Sequence, residues 1–147
     1  MHNVLYYSIT GNTKKLAMAI ADELGAKAQS IKSMSGIPQG GILFIGSGCY
    51  GDKPGEDMAK FISNNDFMGR KVVLFGTSGK GEGREVQSMT ETLKQKGAVI
   101  LGSYYCKGKA FVVVNLGHPD KDELARARAF ARQMAGIDRY TVDRESK

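Results

Sequence analysis

The chain has 147 residues, 41% of them hydrophobic and 24% charged, which fits one globular domain. Its formal net charge is +6, and no apolar run is long enough to cross a bilayer, which argues against a membrane protein. Two distant cysteines, Cys49 and Cys106, argue against a disulfide framework, and with no signal-peptide pattern they favour a reducing cytoplasm.

Apolar runs and turn residues predict strands that alternate with helices along the chain. In chain order we expect a strand at 3–7, a helix at 12–25, a short edge strand within 26–34, a strand at 41–48, a helix at 55–65, a strand at 71–79, a helix at 81–97, a strand at 98–106, a strand or extended loop at 109–115, and a helix at 118–136. We expect Gly136 to end the last helix and residues 139–147 to fray.

Strands that alternate with helices are typical of a parallel sheet covered by helices on both faces. Five strands in a chain this short favour a doubly wound α/β fold with strand order 2-1-3-4-5, in a single domain over residues 1–147. Ligands bind such sheets beyond the carboxyl ends of the strands. The loops after the first, third and fourth strands meet there, and they read SITGNT (8–13), GSGCYGDKPG (46–55) and GTSGKGEG (76–83).

The first of these loops has the composition of an anion-binding turn. It leads into a helix, whose first N–H groups have no partner within the helix and whose dipole is positive at that end. Gly11 lets the backbone approach an anion closely, and the hydroxyl and amide side chains of the loop add donors. The alternative interpretation is that Thr10 or Asn12 only caps the helix.

Other nucleotide and catalytic motifs are missing from these loops. The chain has no GxxxxGK[ST] sequence, no cysteine in the first loop and no acidic pair after the first strand. GSGCYG (46–51) matches GxGxxG, but it follows the third strand and lacks the ribose-binding acid of a dinucleotide site. We assign no metal ligand and no catalytic residue.

The three loops together resemble the FMN-binding loops of flavodoxins. Ser8, Thr10, Gly11 and Thr13 match the phosphate-loop pattern [ST]-x-T-G-x-T, and Tyr50-Gly51-Asp52 is similar to the loop that contacts the isoalloxazine ring. The resemblance implies a flavodoxin-like fold and FMN as the cofactor. The cofactor-binding residues that it implies are Ser8, Ile9, Thr10, Gly11, Asn12, Thr13, Ser47, Gly48, Cys49, Tyr50, Gly51, Thr77, Ser78, Gly79, Lys80, Gly81 and Gly83.

Three functions follow as hypotheses from this resemblance. The first is an electron carrier that shuttles single electrons between a reductase and an acceptor enzyme. The second is an FMN-dependent reductase of a small substrate, a quinone or a tetrapyrrole, or a subunit of such a reductase. The third is a binding module without a flavin. We favour the carrier over a catalytic oxidoreductase, because the chain offers little extra structure to enclose a substrate.

The positive charge departs from the flavodoxin pattern, since members of that family are usually acidic. We therefore expect redox partner proteins with an acidic docking surface, and neither a nucleic acid nor a membrane. Arg128 and Arg132, four residues apart on a helix, are interpreted as a solvated face that is also the best candidate for contacting such a partner. Lys80 stands where the family often places an aromatic residue, which predicts a less negative second reduction potential. Cys49 is interpreted as a small inert thiol rather than a reactive one.

Overall fold

The computed structural model describes residues 2–108 and 117–145, and side chains as far as residue 137. The strands are β1 (Asn3–Tyr7), β2 (Ala28–Ser30), β3 (Leu43–Tyr50), β4 (Lys53–Pro54), β5 (Lys71–Ser78) and β6 (Val99–Lys107). The helices are α1 (Asn12–Leu24), α2 (Glu56–Asn64), α3 (Arg84–Gln95) and α4 (Lys121–Glu145), with a short 3-10 turn at Ile31–Ser33. The predicted strand or loop at 109–115 lies outside the described residues.

The strands form one sheet in the order β2-β1-β3-β5-β6, and all of these neighbours are parallel. The two-residue strand β4 lies off this path and pairs antiparallel with β3. Without β4 the order is the predicted 2-1-3-4-5, so the doubly wound fold is confirmed. The carboxyl ends of β1, β3 and β5 are therefore neighbours, because register pairs Tyr7 with Ser47 and Gly48 with Thr77.

The core has one layer on each face of the sheet, as alternating side chains in a doubly covered sheet require. On one face, Leu43, Ile45 and Leu74 pack against α2 and α3. On the other face, Phe44 and Phe75 pack against apolar residues of α1 and α4. All five of these strand side chains are 0% exposed, so β3 and β5 form a fully buried platform beneath the loops at their carboxyl ends.

The last helix differs from the prediction at both ends. It begins at Lys121 because Asp120 caps it: the Glu123 N–H donates to Asp120 Oδ1 (2.8 Å), and the Asp120 N–H donates to Glu123 Oε1 (3.0 Å). It continues to Glu145, so the prediction that Gly136 ends it is wrong, as is the prediction of fraying for residues 139–145. A glycine inside a helix costs only about 1 kcal/mol, and burial of Met134 beside it offsets that cost.

The two arginines that are predicted to contact an acidic partner protein form ion pairs within the chain. Arg128 Nη1 lies 2.8 Å from Asp22 Oδ2, and Arg132 Nη1 forms a hydrogen-bonded ion pair with Glu23 Oε1. Both acids belong to α1, so these ion pairs join α1 to α4. Both arginine side chains remain partly exposed in these pairs, so their assignment to a docking surface stays a prediction.

No helix in residues 2–108 and 117–145 combines the length and the apolar character that crossing a bilayer requires.

Candidate functional site

A cleft of about 240 Å³ lies at the carboxyl edge of the sheet, where the loops after β1, β3 and β5 meet. All three glycine-rich loops contribute to its walls, as the topology predicts. The lining residues are Thr10, Asn12, Thr13, Gly48, Cys49, Tyr50, Thr77, Ser78, Gly79 and Gly108.

The first loop places the beginning of α1 at one end of the cleft. Gly11 is the N-cap residue, with a left-handed backbone (φ +92°) and no side chain that caps the helix. The Ser8 hydroxyl accepts from the Gly11 N–H (3.0 Å), and the Asn12 amide donates to Thr10 Oγ1 (2.9 Å). Neither Thr10 nor Asn12 caps α1, so the capping alternative is wrong. Asn12 and Thr13 begin α1 and line the cleft, so the positive end of the helix faces the cleft.

A hydroxyl pair joins α1 to β5 at this end of the cleft. Thr13 and Thr77 are only 1% and 4% exposed, and their hydroxyl oxygens share a hydrogen bond of 2.8 Å. One of the two hydroxyl protons is used in that bond, which leaves the other hydroxyl able to donate. The pair can thus fix the helix against the sheet and still offer a donor to an anion in the cleft.

The second loop is a β-hairpin, whereas the sequence predicted that the strand ends at residue 48. β3 continues to Tyr50, and the chain returns as β4 with Tyr50 opposite Lys53. The two turn residues, Gly51 and Asp52, both have positive φ (62° and 65°), as in a two-residue type I′ hairpin. The buried Ser47 hydroxyl accepts from the Gly55 N–H (2.9 Å) and so ties the base of the hairpin to the strand.

Tyr50 forms the aromatic wall of the cleft. Its ring is 38% exposed and lies edge-on to the ring of Tyr7, with centroids 6.3 Å apart. A Cβ atom at Gly48 would lie 2.9 Å from the Tyr50 hydroxyl oxygen, so the glycine lets the tyrosine lie close to the strand. Burial raises the pKa of Tyr50, so the phenol stays neutral at neutral pH.

The third loop forms the opposite wall with its first residues only. Thr77, Ser78 and Gly79 line the cleft, and the Ser78 hydroxyl accepts from the Gly81 N–H (2.8 Å) to close the turn. Gly83 is the N-cap residue of α3, away from the cleft, where a Cβ atom would lie 2.6 Å from the Tyr105 ring.

The structure brings nine of the predicted site residues together and leaves eight outside the cleft. Thr10, Asn12, Thr13, Gly48, Cys49, Tyr50, Thr77, Ser78 and Gly79 line it. Ser8, Ile9, Gly11, Ser47, Gly51, Lys80, Gly81 and Gly83 do not. Ser8, Gly11 and Ser47 shape the loops, and Gly51 and Lys80 line a neighbouring cavity.

Sequence reasoning missed Gly108, which closes the cleft beside the hydroxyl pair. Its N–H donates to the Ser78 carbonyl (2.9 Å), and a Cβ atom there would lie 2.9 Å from Thr77 Cβ and 3.2 Å from Asn12 Cβ. The available signal was a glycine directly after the last strand of the sheet, at the same edge as the other loops.

Cys49 is a protonated thiol in this environment. It is half-buried and forms no disulfide, and burial together with the nearby Glu85 carboxyl raises the pKa of the thiol to about 11. Since the thiolate is the nucleophile, this agrees with the interpretation of Cys49 as an inert residue.

The chemistry of the cleft suits a phosphate ester that carries a flat ring. None of the lining residues has a charged side chain. At the end formed by α1, hydroxyls and a helix dipole can hold an anion without a cation. At the other end, an aromatic face and close-approach glycines suit a planar ring. The donor set therefore fits the phosphate, the polar chain and the ring system of FMN.

Comparisons with known proteins identify the family of this chain. The family model for the flavodoxin domain matches residues 3–116. An uncharacterised protein of Methanocaldococcus jannaschii is 33% identical over 143 residues, covering 89% of this chain and 95% of the relative. A flavodoxin of Clostridium beijerinckii is 30% identical over 109 residues, covering 67% of this chain and 79% of the relative.

The fold is similar to that of solved flavodoxins. A flavodoxin from the domain Archaea has a TM-score of 0.74 at 18% identity, with 92% of this chain and 96% of that chain covered. The match of the family model covers well over half of the chain, from β1 past β6. This chain therefore belongs to the flavodoxin family, whose members bind FMN.

Proposed function

We propose that this chain, as one domain over residues 1–147, binds FMN in the cleft and carries single electrons between a reductase and an acceptor enzyme. The observation that carries the proposal is a cleft with no charged side chain, an anion-binding end and an aromatic end. A site of this kind takes up a phosphorylated planar cofactor through hydrogen bonds and stacking.

In this proposal each wall of the cleft has a task. The loop at 8–13 and the Thr77 hydroxyl hold the phosphate, with the α1 dipole behind them. Tyr50 stacks against the ring, and Gly79 lets the backbone of the third loop approach the edge of the ring. FMN supplies the ability to accept and release electrons, while the protein orients it and limits its contact with water.

The experiment that tests FMN binding is a fluorescence-quenching titration with Thr77→Val and a matched control. Valine keeps the shape of threonine and removes the hydroxyl. A hydrogen bond to a charged group contributes about 1.5–3 kcal/mol, so we expect the Kd for FMN to rise roughly tenfold to a hundredfold.

The control variant is Thr90→Val. The Thr90 hydroxyl donates to the Val86 carbonyl within α3, away from the cleft. Thr90→Val removes the same hydroxyl group as Thr77→Val and is expected to leave the affinity for FMN unchanged. Equal affinities for the wild type and Thr77→Val would contradict the proposed phosphate site, and a wild type that quenches no FMN fluorescence would favour the binding module without a flavin.

A reductase of a small substrate is the second candidate, and one feature favours it. A groove of about 430 Å³ lies beside Tyr50, lined by residues of β4, α2 and α3. Because Tyr50 borders both the groove and the cleft, a small acceptor in the groove would lie next to the ring-binding wall. Consumption of NAD(P)H with a quinone and no partner protein would favour the reductase, and stepwise one-electron reduction without turnover would favour the carrier.

We further propose that an acidic partner docks at the rim of the cleft and that the protein works in the cytoplasm. Lys14, Lys53 and Lys80 are exposed, each within three positions of a cleft-lining residue. None of these lysines forms an ion pair with another residue in the described part of the chain. The free thiols of Cys49 and Cys106 support a reducing compartment.

A further inference from the structure

Glu85 is a buried carboxyl group whose oxygens form no hydrogen bond of ordinary geometry with the described residues, although the Cys49 thiol lies near it. It lies in the first turn of α3 and is 0% exposed. Neither Oε1 nor Oε2 has a partner among the described residues. An ionised carboxylate in this position would lose its hydration, and the first turn of α3 and the Cys49 thiol would compensate for only part of that loss. The protonated acid carries no net charge and avoids this cost. Burial therefore raises the pKa of Glu85.

The Glu85 carboxyl lies directly beneath the floor of the cleft. A Cβ atom at Gly76 would be 2.2 Å from Glu85 Oε1, so the carboxyl fills the space that a side chain at this position of β5 would need. The next residue, Thr77, lines the cleft. On β3, Cys49 lines the cleft as well, and Glu85 contributes to the raised pKa of its thiol. One layer of residues thus separates the carboxyl from the proposed cofactor.

No cation of the described neighbouring strands contributes to the pKa of Glu85, since Lys107 on β6 is exposed and lies beside Gly81. The titratable group that β3 presents is the Cys49 thiol, and burial keeps it neutral. On β6, the Cys106 thiol lies on the other face of the sheet, and burial raises its pKa to about 12. On β5, the residue in contact is Gly76, which has no side chain.

The nearest cations in sequence are turned toward solvent. Arg84 precedes Glu85, but it is exposed and pairs with Glu82 (3.0 Å) and Asp52 (3.6 Å). Lys53, on the β4 strand that packs against α3, is exposed too. A negative charge on Glu85 would therefore act on the cleft uncompensated by any described cation.

We propose that Glu85 links the affinity of the cleft for FMN to proton binding, so that the neutral carboxyl permits the anionic cofactor to bind and the ionised carboxylate opposes it. This inference rests on the proposed function. Where Glu85 is ionised in the free protein, binding of FMN is accompanied by transfer of one proton from solvent to the Glu85 carboxylate. No electron moves and no other covalent bond changes. The coupling is reciprocal, so FMN affinity falls as pH rises through the titration of Glu85.

The state of Glu85 is tested first in protein without FMN. The free energy of unfolding is measured against pH for the wild type, Glu85→Gln and Glu91→Gln, the last of which removes an exposed acid from the same helix. Because the folded pKa of Glu85 is raised, its stabilising effect is fully present below the unfolded pKa, about 4.3, and is lost as pH rises through the folded pKa.

We expect the wild type to lose stability relative to Glu85→Gln as pH rises above that value, while Glu91→Gln follows the wild type. Parallel profiles for the wild type and Glu85→Gln would overturn the inference. If Glu85→Gln does not fold, Glu85→Met is the neutral variant on which the same measurement is made.

The linkage is then tested by the Kd for FMN as a function of pH, and by calorimetry in buffers of different ionisation enthalpy. We expect the wild-type Kd to rise by up to about tenfold per pH unit across the titration of Glu85, with up to one proton taken up per FMN. In Glu85→Gln this dependence is lost, and in Glu91→Gln it is kept. Titration of the FMN phosphate is common to all three proteins and cancels in the comparison.

The same pH dependence in the wild type and Glu85→Gln would overturn the linkage. A wild type that binds no FMN at any pH would contradict the proposed function and with it the linkage, while the unfolding profiles would still decide the state of Glu85.

Discussion

Glycine at position 76 and glutamate at position 85 occupy one space beneath the cleft. An added Cβ atom at Gly76 would meet the Glu85 carboxyl, 2.2 Å away at Oε1 and 2.9 Å away at Cδ. The backbone of Gly76 is not in the left-handed region, so an alanine there is limited by space alone. The two residues are thus coupled by the volume that they share.

This coupling predicts a double-mutant cycle. Gly76→Ala is expected to destabilise the protein by about 1–3 kcal/mol, because the added methyl group overpacks a closed layer. In the Glu85→Ala background the same change is expected to be neutral or stabilising, since the carboxyl is gone and alanine restricts the unfolded chain. Free energies of unfolding for the four proteins test it, and an equal cost of Gly76→Ala in both backgrounds would contradict the contact.

Sequence reasoning located the glycine-rich loops correctly but could not assign a task to each glycine. The resemblance implied that loop glycines such as Gly48 and Gly79 bind the cofactor. In the structure, Gly46 makes room for the Phe75 ring and Gly55 for the Tyr7 ring, with added Cβ atoms at 2.0 and 2.1 Å. These partners are distant in sequence, so no local pattern distinguishes such a packing glycine from a ligand-contacting one.

At the scale of elements, the β3–β4 hairpin positions Tyr50 at the cleft. Tyr50 is the last residue of β3, and Lys53 opposite it begins the return strand. Only Gly51 and Asp52 lie between them, and both adopt the left-handed backbone that a type I′ turn requires. The orientation of the aromatic wall thus depends on two residues with positive φ.

Gly51→Ala is therefore expected to destabilise the protein by about 1 kcal/mol and to weaken FMN binding. Nothing lies within 4 Å of the added Cβ atom, so the cost comes from the backbone conformation and not from a clash. The matched control is Gly36→Ala, where φ is not positive and the nearest atom, Asn65 Oδ1, is 3.8 Å away. Thermal unfolding and FMN titration of both variants are the measurements, and equal losses in the two would contradict the turn assignment.

The elements themselves were predictable, and their ends were less so. The helix ended by Gly25 is confirmed, because this glycine adopts the left-handed C-cap conformation. Gly136 carried the same signal and does not end its helix. The difference lies in tertiary packing, since Ala131, Met134 and Ala135 are buried around Gly136 and hold that stretch in the helix. Such packing depends on α1 and the sheet, which a local pattern does not contain.

At the scale of the whole molecule, the positive side chains differ in whether an acidic side chain pairs with them. Arg128 and Arg132 form ion pairs with Asp22 and Glu23, which join α4 to α1. Lysines at the rim of the cleft lack such partners among the described residues, and Lys80 is one of them. A net charge of +6 thus predicts an attraction for acidic molecules, and the rim lysines are further candidates for it beside the two arginines.

The rim lysines predict how the reduced, FMN-loaded protein reacts with small charged oxidants. In Lys53→Glu/Lys80→Glu, electron transfer to the anion ferricyanide is expected to be roughly tenfold slower at low ionic strength, and transfer to the cation hexaamminecobalt(III) faster. Both effects should fade as salt is added, because exposed charges are screened.

The matched control is Lys27→Glu/Lys94→Glu, which changes the net charge by the same amount at the amino edge of the sheet. Lys27 directly precedes β2, and Lys94 lies in the last turn of α3. The rate with a small ion depends on the electrostatic potential at the cleft, where electrons leave the cofactor. This control is therefore expected to react nearly as the wild type does. Stopped-flow rates that fall equally in both double variants would mean that net charge governs the reaction. A fall confined to the rim variant would locate the attraction at the cleft, where an acidic partner protein is expected to dock.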